Sequence, residues 1–310
     1  DWENYTPPVP TFLGTKAFEE YDLNEVRQYI DWTPFFITWE MKGRYPQILT
    51  DENSGVEATK LFNDANAMLD KIIAEQWLTA KGVVGFWEAE RVSADTILLS
   101  KTDKDGKQYR LESLRQQIKK AASQPQLSLA DFIKPTGLGN GVDYIGGFAV
   151  AIHGIEPHLE AYNRAHDDYN KIMLQALADR LAEAFAEVLH LRTRKEFWAY
   201  APNEDISIPD LIKENYQGIR PAPGYPACPD HTEKIKLFEL LDAQKNVGIT
   251  LTESLAMYPA ASVCGWYFSH PQSVYFGVGK ISKDQVENYA LRKEMSIEAI
   301  SKWLSPNLEE

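Results

Sequence analysis

Four prolines within nine positions, Pro221, Pro223, Pro226 and Pro229 in RPAPGYPACPDHTEK (residues 220–234), constrain this chain more than any other feature. Each proline holds its own φ near about −65° and pushes the preceding residue out of the helical region, so Arg220, Ala222, Tyr225 and Cys228 are biased toward extended backbone. Proline also lacks an N–H, so the stretch is rich in carbonyl oxygens that no neighbouring strand can fully pair, while Gly224 lets another group approach closely. The segment reads either as a preformed wall facing a ligand or as a rigid connector into the helix that His231-Thr232-Glu233-Lys234 opens.

Around this segment the hydrophobic pattern changes period repeatedly. From Glu57 the apolar residues Ala58, Leu61, Phe62, Ala65, Met68, Leu69, Ile72 and Ile73 fall at helical spacing with one buried face. AKGVVGFWEAERV, DTILLS and DYIGGFAVAI read as strands, and from Glu156 to Leu189 a helical period runs on as one long helix or two. Further strands are expected in ITLTESLAMYP, SVCGWYFSH and SVYFGVG, with short helices near Asp210–Tyr216 and Thr232–Asp242 and two terminal ones in KDQVENYALRK and SIEAISKWL. Consecutive late strands joined by short turns predict antiparallel pairing, and no alternating βαβ array is present. The expectation is one α+β domain over residues 1–310, a twisted antiparallel sheet flanked by helices, preceded by an extended arm over residues 1–20 that carries Pro7, Pro8 and Pro10.

With 310 residues, 44% hydrophobic and 12% aromatic, the chain can bury a substantial core. Its net charge of −13 argues against a nucleic-acid-binding face or an anionic membrane surface, both of which need clustered Lys and Arg. The most apolar stretch, Tyr144 to Ile155, is too short to span a bilayer and contains His153. Cys228 and Cys264 read as reduced thiols and a cytoplasmic location is the expectation. A chain that starts at Asp1 without an initiator Met is expected to be a piece of a longer protein.

The common site motifs fail. GLGNG (residues 137–141) is not a dinucleotide fingerprint, so the fold is expected to be non-Rossmann; no Walker motif or nucleophile elbow occurs, and Cys228 with His231 lacks a second pair to complete a metal site. Asp179, Glu183 and Glu187 follow at i, i+4, i+8, and with Leu181, Phe185 and Val188 facing the core they should form an outward acidic ridge, either merely solvated or met by a partner. Asp31 in IDWTPFF sits among apolar neighbours before a Pro-stiffened turn, where it could cap a helix or bind a cation.

Taken together, IDWTPFF, FNDANAMLDK, HDDYNKIM, ALADRLAEAFAE, YAPNE, ENYQGIRPAPGYPACPDHTEK, LTESLAMYPAASVCGWYFSHP and WLSPNL, in this order, resemble the C-terminal activation domain of cobalamin-dependent methionine synthase, from about Tyr5 to Leu308. The resemblance implies an S-adenosylmethionine-binding domain of a larger multidomain methyltransferase of methionine biosynthesis. It places ligand contacts on Arg220, Ala222, Gly224 and Tyr225 of the proline segment and on Asp31, Tyr275 and Phe276. By their chemistry, Arg220 would hold the ligand carboxylate, Asp31 the ammonium, the carbonyl-rich wall the sulfonium, and Tyr275 with Phe276 would border the adenosine.

The implied activity is repair: when cobalamin oxidises to cob(II)alamin, the domain presents S-adenosylmethionine while flavodoxin or a related flavoprotein supplies an electron, and methylcobalamin is restored. Cobalamin and zinc would be bound by other modules, with no metal in this chain. Tyr225 is the residue expected to take part at the reacting centre, facing cobalamin as well as ligand. Asp179 and Glu183 are expected to meet the cobalamin module, and the basic run Arg192, Arg194 and Lys195 the acidic flavodoxin. The alternative is a non-catalytic S-adenosylmethionine sensor or docking module using the same pocket.

Overall fold

A pairing of two long strands organises the chain. A computed structural model describes residues 2–309. In it β1 (Gly14–Tyr21), β2 (Thr79–Arg91), β3 (Thr96–Thr102), β4 (Gln108–Glu112) and β5 (Asp143–His153) form one antiparallel sheet, completed late in the chain. The two-residue strands β6 (Thr250–Leu251) and β7 (Met257–Tyr258) pair only with each other, whereas β8 (Ser262–Tyr267) joins the main sheet. The order is β4-β3-β2-β5-β8, with β1 pairing the first half of the β2 edge whose second half pairs β3.

β2 and β5 stay in register from Thr79↔His153 to Ala89↔Asp143. Because side chains alternate across a strand, Ala80, Val84 and Phe86 with Phe148, Val150 and Ile152 enter one core. Val83, Trp87 and Ala89 with Ile145, Ala149 and Ala151 enter a second core on the other face. Both faces are covered, which explains why these strands read as nearly continuous apolar runs.

On the first face lie α1 (Leu23–Val26), α2 (Trp32–Thr38), α3 (Gly55–Ala74), α4 (Glu156–Arg164) and the 25-residue α5 (Asp168–Arg192). After the short α6 (Ile208–Ile212), α7 (Glu233–Leu241) and α8 (Ala243–Val247) cover the second. Gly147 makes room there, since a Cβ on it would stand 2.7 Å from Leu237 Cδ1. The terminal helices α9 (Lys283–Lys293) and α10 (Ile297–Trp303) build a small third core with Leu114 and Val278.

Three expectations change. The last part of the N-terminal arm is the strand β1, because its backbone completes the open edge of β2. The long helical period is two helices: His166 takes a left-handed φ of 53°, and Asp167 then caps α5 by accepting from the Asn170 N–H at 3.0 Å, so the acidic HDDYNK stretch is a helix start. Residues 273–279 form no strand. Their neighbour is the proline segment, where Pro226 O accepts from Val278 N–H at 2.8 Å but Pro226 has no N–H to return, so a ladder cannot propagate. Among the described residues no helix is long and apolar enough to cross a membrane.

Asp143 marks the end of the central pairing. Its carboxylate accepts from the Lys134 and Tyr144 N–H groups at 2.8 and 2.7 Å, yet burial outweighs these bonds and pushes its pKa up to about 6. A pKa raised above the unfolded value of about 3.9 means that this group's contribution to stability is complete below about pH 3.9 and is lost as pH rises through about 6. A carboxyl-carbon NMR titration of the folded protein is expected to show a midpoint for Asp143 near 6; a midpoint at an ordinary carboxylate value would contradict the burial argument.

Candidate ligand-binding cleft

The proline segment begins as a strand neighbour and is then forced away. Ile219 and Phe268 exchange two backbone bonds of 3.0 Å, and Pro221 O accepts from Trp266 N–H at 2.8 Å beside β8. Beyond that point missing N–H groups end the pairing. The chain folds back through Tyr225 N–H to Ala222 O (3.1 Å), Cys228 N–H to Tyr225 O (2.9 Å) and Gly224 N–H to Cys228 O (2.7 Å). Gly224 has φ +93°, and a Cβ there would collide with the His231 imidazole. The tight turn leaves Tyr225 standing out, 63% exposed.

This wall bounds a cleft of about 760 Å³. Arg220, Ala222, Pro223, Tyr225 and Pro226 form one side; Ser262, Val263 and Cys264 of β8, with Tyr275 and Phe276, form another. Glu183 of α5, Glu214, His231, Lys234 and Met257 complete the lining, over Phe148 from the sheet. A second lobe of about 260 Å³ shares Glu183, Glu214 and Arg220 with the first and adds Tyr29, Asp31, Arg180 and Glu187. Of the expected site residues, Arg220, Ala222, Tyr225, Tyr275 and Phe276 thus line one cleft, Gly224 sits in its wall, and Asp31 lies in the adjoining lobe. Asp31 also caps α2, accepting from Thr33 N–H at 3.0 Å.

Arg220 stands where the lobes meet. Its Nη2 donates to Glu187 Oε2 at 2.7 Å, and its Nη1 donates to Tyr216 Oη at 2.8 Å and His190 Nδ1 at 3.0 Å. Its backbone N–H donates to Tyr275 Oη at 2.9 Å, which fixes that ring. Burial alone would depress the guanidinium pKa, but Glu187 and the two tyrosines more than offset it, so Arg220 is firmly charged. His190 is the converse: burial, reinforced by Arg194 and Arg220, holds it well below the usual imidazole value, so it is neutral and its Nδ1 accepts.

The acidic ridge on α5 is therefore only partly outward. Asp179 and Glu183 are exposed, but Glu187 is 6% exposed and paired with Arg220, because a helix wedged between sheet and cleft loop has no free side at that turn. Arg194 requires a second correction. It is fully buried, bonded to both Glu204 oxygens at 2.9–3.0 Å and set 3.8 Å over the Tyr216 ring, so it cannot meet an external partner. The wider turn after α5, where Trp198 N–H reaches back to Thr193 O, rotates it inward. Arg192 stays partly exposed against Glu196 and Lys195 is exposed.

The cleft favours holding a ligand over acid–base work. Burial pushes the Cys264 thiol up to about 12, with Lys234 opposing, so no thiolate forms near neutral pH. Burial lowers His231 and Lys234, and Lys234 Nζ is spent on Leu255 O at 2.6 Å. What remains is a mixed-charge pocket with apolar and aromatic walls, suited to a zwitterionic ligand with a flat group. His231 and Lys234 were within reach of sequence reasoning, since they open the helix directly after the proline wall. Glu214 arrives from a distant loop and Met257 from the short strand β7, and neither carries a local signal for the cleft.

These features define a small-ligand-binding domain built on the edge of a curled antiparallel sheet. The chain belongs to the family described as vitamin B12 dependent methionine synthase, activation domain, whose model matches residues 22–294. A solved structure described as "Crystal Structure of the MetH Reactivation Domain bound to AdoHcy" is 53% identical, with a TM-score of 0.93, and the match covers 100% of this chain and 95% of that one.

Replacing Gly224 by Ala combines a left-handed φ with a side chain aimed at His231. The expected result is a lower melting temperature, by the equivalent of roughly 1–3 kcal/mol, and weaker ligand binding. A Gly224→Ala protein that melts and binds like the parent would show that the turn tolerates a Cβ.

Proposed function

We propose that this chain is the single activation domain of a larger cobalamin-dependent methionine synthase, and that it binds S-adenosylmethionine in the cleft and presents its methyl group for reductive methylation of cobalamin. The observation that carries this reading is full-length similarity, at 53% identity, to a reactivation domain solved with AdoHcy, combined with a cleft walled by Arg220 and the proline turn. Arg220 takes the ligand carboxylate, and Asp31 in the adjoining lobe faces the ammonium. Ala222 and Gly224 supply backbone against the sulfonium, while Tyr275 and Phe276 border the adenosine.

The cobalamin carried by another module supplies the reduced cobalt that accepts the methyl. This chain's own residues contribute position: they hold the sulfonium carbon near the rim, where exposed Tyr225 faces both ligand and incoming module. Cys264, which lines the cleft, is a thiol and not a thiolate, so it competes poorly for the ligand's methyl. Exposed Asp179 and Glu183 serve reversible docking of the cobalamin module.

Calorimetry tests the binding: S-adenosylmethionine binds the chain, and Arg220→Ala, verified as folded, binds it more weakly by on the order of 1.5–3 kcal/mol. Unchanged affinity in the folded variant would remove Arg220 from the site.

In the same reading the protein works in the cytoplasm and receives its electron from flavodoxin or a related flavoprotein. With −13 overall, the chain repels an acidic donor except where local cations stand out. Arg192 and Lys195 remain for that contact, and Arg194 does not. Charge reversal at Arg192 and Lys195 in the full enzyme is expected to slow flavodoxin-dependent reactivation and to leave reactivation by a small chemical reductant unchanged. Equal slowing with both reductants would exclude the surface as a donor contact.

A further inference from the structure

A guanidinium has five N–H groups, and which of them a ligand meets depends on which the protein has already taken. At Arg220 three are engaged inside the domain: one on Nη2 with Glu187, and both on Nη1 with Tyr216 and His190. Among the described residues the Nε–H and the second N–H of Nη2 make no hydrogen bond. Nε and Nη2 share one edge of the group and form the side-on fork that matches a carboxylate.

We infer that Glu187, with His190 and Tyr216, is a positioning clamp that selects the free edge of Arg220 and so sets the orientation of the ligand's carboxylate. The clamp is rigid because its parts are buried or packed. Glu187 and His190 lie less than one helical turn apart on α5, 6% and 0% exposed. The His190 ring stacks on Tyr267, with centroids 5.1 Å apart, and meets Tyr216 edge-on at 4.9 Å. Tyr216 is itself held by the Arg194 guanidinium, which Glu204 secures.

An arginine without such partners would swing through several rotamers and offer either edge. Glu187 also neutralises the guanidinium before ligand arrives, so the clamp contributes geometry where charge alone would contribute attraction. A negative neighbour lowers the Coulomb gain for an incoming carboxylate, and the fixed fork compensates through alignment.

The inference rests on the reading of Arg220 as the carboxylate partner, and two ligands separate the two claims. Calorimetry on the 310-residue chain compares S-adenosylhomocysteine, which carries the amino-acid carboxylate, with 5′-methylthioadenosine, which lacks it. Glu187→Ala is expected to weaken the first at least about tenfold and to change the second by less than about twofold. Glu187→Gln, which keeps an oxygen acceptor for Nη2, is expected to restore most of the loss. Tyr216→Phe, which removes a single oxygen, is expected to show a smaller loss with the same selectivity, and decides the matter if Glu187→Ala does not fold.

Equal losses for both ligands, or no loss for either, would overturn the clamp while leaving the binding reading intact. Failure of the parent chain to bind S-adenosylhomocysteine would overturn the binding reading itself and the clamp with it.

Discussion

The architecture depends on the antiparallel pairing of β2 with β5, eleven residues long and buried on both faces. It places apolar side chains alternately into two cores, so each face needs its own helical cover. α5 supplies it on one side, α7 and α8 on the other. Everything at the cleft is hung from this frame. β8 pairs the free edge of β5, Ile219 bridges Phe268 just past the end of β8, Pro221 O accepts from Trp266 N–H within it, and the cleft opens where proline stops the pairing.

A sheet edge that ends in proline has two consequences. It withholds N–H groups at Pro221, Pro223 and Pro226, which discourages edge-to-edge association, while the carbonyls of Pro221, Ala222, Tyr225, Pro226 and Cys228 are taken by backbone N–H groups inside the domain and are not left unpaired as the sequence suggested. It also frees the following residues to turn back sharply, and Gly224 is the one position where the turn demands a residue with no Cβ. The answer to whether the segment is wall or connector is that it is both: it lines the cleft and then leads through Asp230 and Thr232 into α7.

Beneath the cleft the charges are arranged by burial. Glu187, Arg220, Arg194 and Glu204 form two buried or nearly buried ion pairs, linked through Tyr216 and neutral His190. Removing one member of such a pair leaves an uncompensated charge, roughly 3–5 kcal/mol for a buried case. The network therefore ties ligand-site geometry to the stability of the α5 end and the loop that follows it.

Much of the fold was legible because it follows from local periodicity. α3, α7, α9 and α10 and the strands β2, β3, β5 and β8 lie where period and turn residues put them, and the stiffness of residues 220–229 is a property of proline anywhere. The order of recognisable motifs also carried the family. Periodicity says which side of a helix is apolar but not what stands opposite a polar residue. Glu187 and Arg194 therefore read as outward charges open to solvent or a partner, although tertiary contacts bury both against groups 33 and 10 residues away. β1 read as an arm because a strand edge is completed only by a neighbour, and residues 273–279 read as a strand because the neighbour that denies them a ladder is distant in sequence. The sequence by itself determined the elements and the rigid wall, since those depend on φ, ψ and spacing within a few residues. Only the tertiary structure decided which edge of Arg220 is free and which acids face the cleft, because burial and ion pairing are set by groups that meet across the fold.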